Sequence, residues 1–467
     1  MSQRRFAISS ALVVLSCGLV SAADDVRLPA YSRQVLPNGI VLDVIPKREV
    51  PLIAVRIVVR GGLESDPANL AGLSAVTAEA LRRGTATRSA EQFSQELDFL
   101  GASFDAGSDL GSTSITAEFL AQDFAKGLDL LLDVVLRPSF PEAEVKKLLA
   151  QRIDASRLFK DNPRFVTNEF FRSFYFGPGH PYGRTADEVS LSRISRNDMV
   201  AYHKAQYVGR NMIVIVSGDI EAAAGSATMI SALKGVPSGT AYAWKQVPPV
   251  KRSGPRVAIV DKPDATETQF RIGLPGVDRS SPDRVPLWLV NTLFGGRFTS
   301  VLNDALRVNS GLTYGANSNF DQNHLPGRIT ISSFTATANT VKAINMALEV
   351  LKTISEKGID AEQLASAKAY IKGTYPADRL ETADQLAGIV SEIELFDLNR
   401  GEVDDLFSRI DAVTVEKANE TIRRYLRPGD LTFLLLGNAS QFPPGIGKYA
   451  ADQVRVPISA PGLQVVQ

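Results

Sequence analysis

The chain has 467 residues, enough for roughly three domain-sized units of about 150 residues each. Its 44% hydrophobic and 22% charged residues are an ordinary globular mix, with apolar material for more than one core. Lys+Arg and Asp+Glu both number 51, so the net charge is zero, and no basic run exceeds three residues. That excludes a nucleic-acid binder driven by excess positive charge. The sole cysteine, Cys17, excludes an internal disulfide, a zinc finger and a four-thiolate cluster. A histidine-ligated site has only His180, His203 and His324 to draw on.

The chain opens on a targeting segment. Arg4 and Arg5 form a basic start, Phe6 to Val20 is mostly apolar, and Val20-Ser21-Ala22-Ala23 precedes Asp24-Asp25. This pattern predicts a signal peptide over residues 1–23, cleaved near Ala22 or Ala23, and export to the periplasm. Val14-Leu15-Ser16-Cys17 loosely matches a lipoprotein cleavage box, so a lipid anchor on Cys17 is the alternative ending of the same segment. No later stretch is long and apolar enough to span a bilayer.

Residues 24–235 are expected to form the first domain. β-branched enrichment predicts strands at Ile40 to Ile45 and Ile53 to Val59. Between Gly72-Leu73 and Gly84-Thr85 a helix is expected. An apolar helix at Leu128 to Leu136 leads to Phe140-Pro141-Glu142, where proline and acidic residues suit a new helix start. A polar helix ending at Tyr207 precedes a strand at Met212 to Ser217, closed by Gly218-Asp219.

After a Pro- and Gly-rich linker at 236–255 the pattern repeats in residues 256–440. Strands are expected at Val257 to Val260 and Gln269 to Leu274, and a helix at Leu348 to Ile354 precedes Ile359-Asp360-Ala361. A helix to Tyr425 leads to the strand Leu431 to Leu436 and Gly437-Asn438. Phe140 and Ile359, Val145 and Leu364, and Gly218 and Gly437 are all 219 residues apart. A period this long indicates duplicated domains rather than a solenoid. Strands, then helix pairs, then a returning strand imply an α+β class: two homologous α/β sandwich domains, each a sheet covered by helices. The tail, residues 441–467, is rich in Pro, Gly and polar residues and is expected to lie loosely on the surface.

Around residues 60–85 the chain resembles the pitrilysin/insulinase family of zinc peptidases. The resemblance rests on Arg60-Gly61-Gly62, Glu64-Ser65-Asp66-Pro67 and the Gly72-to-Gly84 frame. It extends to His180-Pro181-Tyr182-Gly183-Arg184, the strand from Asn211 to Asp219, and Leu293-Phe294-Gly295-Gly296. In that family the frame carries an inverted H-x-x-E-H motif, two histidines for zinc and a glutamate as general base. Here the resemblance places Ala75 and Glu79 at the two histidine positions and Ala78 at the glutamate. The third ligand, a downstream glutamate, falls at Gln151 or Arg152. A hydrolytic zinc site needs three protein ligands and an open position for water. No metal is therefore expected in this chain, which is read as inactive alone.

A second family feature is present. The resemblance assigns Arg307 and Tyr314, seven residues apart, to substrate binding across the cleft. The chemistry suits them: a guanidinium offers fixed donors to peptide carbonyls, and a phenol can donate to an oxyanion. Without the resemblance, Arg307 reads as a helix cap and Tyr314 as a half-buried strand aromatic. The Gly295-Gly296 pair is too short for a phosphate loop and reads as a tight turn. His180 reads as a packing or hydrogen-bonding residue, and no G-x-S-x-G elbow is present.

The resemblance implies one half of a clamshell: a non-catalytic subunit of an exported heterodimeric zinc metallopeptidase. The partner would be a homologous chain bearing H-x-x-E-H and zinc, and the substrate an unfolded peptide. The alternative is a structural or peptide-binding scaffold with no part in catalysis.

Overall fold

The computed structural model describes residues 26–248, 254–451 and 453–465. The signal segment 1–23, with Cys17, lies outside the described residues, as do residues 249–253 of the linker and the last two residues of the tail. No helix among the described residues is long and apolar enough to cross a membrane.

In the first half the strands are β1 (Ser32–Val35), β2 (Val41–Pro46), β3 (Leu52–Arg60), β4 (Ser103–Ser108), β5 (Ser112–Leu120) and β6 (Met212–Gly218). Its helices are α1 (Leu73–Ala80), α2 (Ala90–Phe99), α3 (Phe124–Leu136), α4 (Glu142–Phe159), α5 (Pro163–Phe176), α6 (Glu188–Leu191), α7 (Arg196–Gln206) and α8 (Ala222–Leu233). The second half carries β7 (Arg256–Asp261), β8 (Glu267–Pro275), β9 (Ala316–Phe320), β10 (Arg328–Ala336), β11 (Thr432–Gly437) and β12 (Gln453–Pro457). Its helices are α9 (Arg284–Asn291), α10 (Val301–Asn303), α11 (Thr340–Lys357), α12 (Ala361–Arg379), α13 (Ala383–Leu395), α14 (Gly401–Asp404), α15 (Leu406–Asp411) and α16 (Val415–Tyr425).

The strand order β1-β2-β6-β3-β5-β4 of the first sheet is repeated as β12-β7-β11-β8-β10-β9 in the second. The protein is thus an α+β duplication with two six-stranded sheets. β6 and β11 return after the helices and insert parallel to β2 and β7 and antiparallel to β3 and β8. Both are buried at every residue, which is why Met212–Gly218 and Thr432–Gly437 read as near-continuous apolar runs. Helix starts are set locally: Ser195 caps α7, Asp360 caps α12 and Thr382 caps α13, each with its side chain accepting from the third backbone N–H.

The sheets differ at one edge. β1 closes the first sheet antiparallel to β2, whereas β12 closes the second parallel to β7. The tail therefore does not lie loosely on the surface. Residues 453–457 add a strand, and Leu463 and Val465 beyond it are buried at 1% and 2% exposure. Alternating Val454 and Val456 against the α5 cluster outweigh the loop-like composition around them.

The halves exchange helices. α5, from the first half, packs on β8 and β11 of the second sheet; α13, its counterpart, packs on β3 and β6 of the first. Tyr175 on α5 donates to the Leu274 carbonyl (2.7 Å), and Arg271 of β8 donates to Asn168 (2.8 Å). In return Arg56 of β3 pairs with Asp384 (2.7 Å) and Arg33 of β1 grips Glu394 through two nitrogens (2.7 and 2.9 Å). Gly273 permits the close approach: a Cβ there would sit 2.6 Å from the Phe171 ring.

Candidate functional site

The helix between Gly72 and Gly84 begins on a left-handed residue, Gly72 (φ +95°), and runs as α1 for eight residues before a tighter turn at Leu81–Arg83. Buried Asp66 fixes its start by accepting from the Gly72 and Ser74 amides (2.7 and 2.8 Å). A side chain at Gly72 would strike Ala186, 2.7 Å from its Cβ, so the loop after Tyr182 closes over this helix. Four residues apart on one helical face, Ala75 and Glu79 look into a cavity of about 410 Å³ that Arg152 of α4 also lines. Ala78 is fully buried behind them.

No water-activating centre is built there. Arg152 donates to the Glu79 carboxylate, which also faces Arg83 at 3.9 Å. Arg83 in turn reaches Glu144 (3.6 Å) and donates to Gln151 (3.4 Å). Of the five positions at which a zinc site would be sought, Ala75, Glu79 and Arg152 share the cavity wall while Ala78 and Gln151 do not line it; two of the five carry methyl groups and the carboxylate is matched by guanidinium charge. These residues do not fit a zinc ion. Among the described residues no group of three His, Cys, Asp or Glu could hold a metal.

Each histidine has a separate local role. His180 accepts from the Tyr182 amide (3.0 Å) and stacks on Phe176; burial lowers its pKa to about 4. His203 donates to the Val135 carbonyl (2.8 Å) and stacks on Tyr207. His324 lies between Trp244 and Phe396, also lowered to about 4 by burial.

Arg307 and Tyr314 sit on the second half, on a wide turn of helix (Asp304–Asn309) and the loop after it. Buried Leu306 and Leu312 anchor the two ends, Gly311 (φ +62°) turns the chain, and the Leu312 amide donates back to Leu306 (3.0 Å). The Leu312 carbonyl accepts from Thr335 of β10 (2.6 Å) and the Gly315 carbonyl from Ser333 (3.0 Å), which pins the loop to the sheet. Tyr314 is 81% exposed rather than half-buried. Arg307 caps no helix: its guanidinium lies over the Phe298 ring at 4.8 Å. No described residue accepts a hydrogen bond from either side chain. Nearby, Gly295-Gly296 form part of another wide turn rather than a tight one. A Cβ on Gly295 would meet the Ser318 amide at 2.5 Å, so this glycine lets the turn press against β9.

The sequence reading missed a feature at the first of these places. Leu463, from the tail, is part of the wall of the Ala75–Glu79 cavity. Nothing in its local sequence signals a partner 384 to 388 residues away.

Comparison with known proteins agrees with this fold. Residues 45–172 match the family described as Insulinase (Peptidase family M16), and residues 193–371 match the one described as Peptidase M16 inactive domain. An uncharacterized zinc protease of Mycobacterium tuberculosis is 26% identical over 420 residues, 87% of this chain and 93% of the relative. A protein of Helicobacter pylori named a non-peptidase homolog is 22% identical over 396 residues, 83% of this chain and 90% of its own. Among solved structures, a peptidase M16 inactive domain from Pseudomonas fluorescens superposes with TM-score 0.82 at 22% identity, covering 89% of this chain and 99% of that one. A Helicobacter pylori protease superposes with TM-score 0.78 at 18% identity, covering 88% and 100%.

Proposed function

Because the chain belongs to the insulinase (M16) peptidase family, as an inactive-type member without the metal-binding motif, we propose that it is the substrate-orienting subunit of an exported, two-chain zinc metallopeptidase. One contrast carries the reading: two motif positions carry methyl groups and Glu79 is tied to Arg152, whereas Arg307 and Tyr314 are presented outward with no hydrogen bond from either side chain to a described residue. The homologous partner, bearing H-x-x-E-H, brings the zinc. This chain brings two groups suited to a peptide lying across it. The Arg307 guanidinium donates to peptide carbonyls and holds the backbone in place. The Tyr314 phenol donates to the oxygen that gains charge as the scissile carbonyl is attacked.

Partners pulled down with the mature chain from an envelope extract are expected to include an H-x-x-E-H chain of similar size. In that complex Tyr314→Phe is expected to lower kcat by about 100- to 1000-fold, the effect of removing one oxyanion donor, while assembly is unchanged. Normal turnover in both Tyr314→Phe and Arg307→Ala complexes would leave a scaffold role.

A further inference from the structure

The ends of α4 and α5 and the start of α6 hold the last described residues as a receptor holds a peptide. Beyond β12 the chain leaves its own sheet and crosses to the first half. Lys160 donates to the Ala460 carbonyl (2.7 Å). The Gly462 amide donates to Glu188 (2.9 Å), the Leu463 amide to Asp187 (3.0 Å) and the Val465 amide to the Ser173 hydroxyl (3.1 Å). Gln464 bonds Thr185 (2.7 Å) and accepts from Ser173 (3.0 Å). Leu463 and Val465, two residues apart, are buried among Phe170, Phe174 and Tyr182, while Gln464 between them is only partly covered.

This is recognition of a bent segment by side chains, with Leu463 and Val465 set two residues apart into one apolar cluster beyond the left-handed Gly462. The acceptors are built in: Asp187 is 3% exposed, and its other oxygen already caps α6 through the Val189 and Ser190 amides. Leu463 continues into the wall of the cavity shared by Ala75, Glu79 and Arg152. We propose that this surface is a groove for a peptide that bends at a glycine, as residues 460–463 do, and carries apolar side chains two residues apart, and that residues 460–465 fill it in cis. The groove is separate from Arg307 and Tyr314 and does not depend on their role. As a tethered occupant the tail acts at high effective concentration, so a free peptide gains entry only when the tail is released.

The test uses a labelled peptide spanning residues 458–465 and the full mature chain. Gly462→Pro removes the amide that Glu188 accepts and cannot hold the positive φ of Gly462 (+81°). Leu463→Asp with Val465→Asp releases the tail by a different route and serves if the first variant does not fold. With either folded variant the peptide is expected to bind saturably, at least about tenfold tighter than to the unaltered chain. A peptide with serine at both apolar positions is expected not to bind. Equal binding to variant and unaltered chain would overturn the proposal, as would no binding to a folded variant whose tail has become protease-sensitive. A tail equally protected from protease in the unaltered chain and in both variants would overturn it too, because such a surface does not read the peptide.

Discussion

Arg152 on α4 donates to Glu79 on α1, so the carboxylate at the last position of the lost motif is matched by an arginine of the same chain. Glu79 is 19% exposed and Arg152 51%, so water screens the pair heavily. Glu79→Gln is therefore expected to cost under about 1 kcal/mol in urea unfolding. Calorimetric titration of the unaltered mature chain with zinc is expected to show no one-to-one uptake at micromolar concentration. Tight stoichiometric binding would contradict the donor set described above.

Phe298 sits under the Arg307 guanidinium at 4.8 Å and is itself 63% exposed. An exposed contact of this kind is worth about 0.5–1 kcal/mol. If Arg307 binds the peptide backbone, Phe298→Ala loosens its placement before reaction begins. In the assembled peptidase KM is expected to rise about two- to fivefold with kcat nearly unchanged. A fall in kcat alone would assign Phe298 a different task.

Asp43 of β2 is fully buried, and neither carboxylate oxygen finds a hydrogen-bond partner among the described residues. Burial first, then the neighbouring Glu394, raise its pKa from 3.8 to about 7, with Arg33 opposing them. Between those two values the folded chain holds a proton that the unfolded chain has lost. Its contribution is thus full below about pH 4 and disappears as pH climbs to 7. Asp43→Asn is expected to remove this slope, gaining on the unaltered chain by on the order of 2–4 kcal/mol between pH 4 and pH 8. Parallel stability–pH curves would show that Asp43 titrates normally.

Gly273 faces Phe171 and Tyr175 at distances that admit no further carbon. Gly273→Ala is expected to destabilise by about 1–3 kcal/mol through overpacking. Tyr175→Phe, which removes the hydrogen bond to the Leu274 carbonyl, is expected to cost about 0.5–1.5 kcal/mol. Denaturant titration distinguishes these from surface changes, and a neutral Gly273→Ala would mean that the two halves can slide apart.

Much of this architecture could be read from local pattern. Buried β2, β3, β6, β7, β8 and β11 advertise themselves through β-branched and apolar runs, and the duplication through its repeated spacing. The remaining strands of each sheet were harder to see. Ser103–Ser108 and Ala316–Phe320 are half-exposed edges rich in Ser and Asn, which resemble loops when taken alone. Partners distant in sequence were not legible at all. Nothing in Phe170-Phe171 says that the sheet they cover lies in the other half, and Gln453–Pro457 is too short to reveal a parallel partner at Arg256 to Asp261. At the Ala75–Glu79 wall the missing ligands were plain from residue identity. That an arginine meets the remaining carboxylate depended on how α1 crosses α4.

The exchange of α5 and α13 bears on how the chain is made. A ribosome delivers the aromatic face of α5, with Phe170, Phe171, Phe174 and Tyr175, long before the strands that cover it, β8 and β11, have been synthesised. Until then the leading half carries an adhesive surface that its own residues cannot hide, the kind of exposure that draws nascent chains into aggregates or onto chaperones. The two repeats, though they share one plan, are therefore obligate companions in folding: each finishes the other.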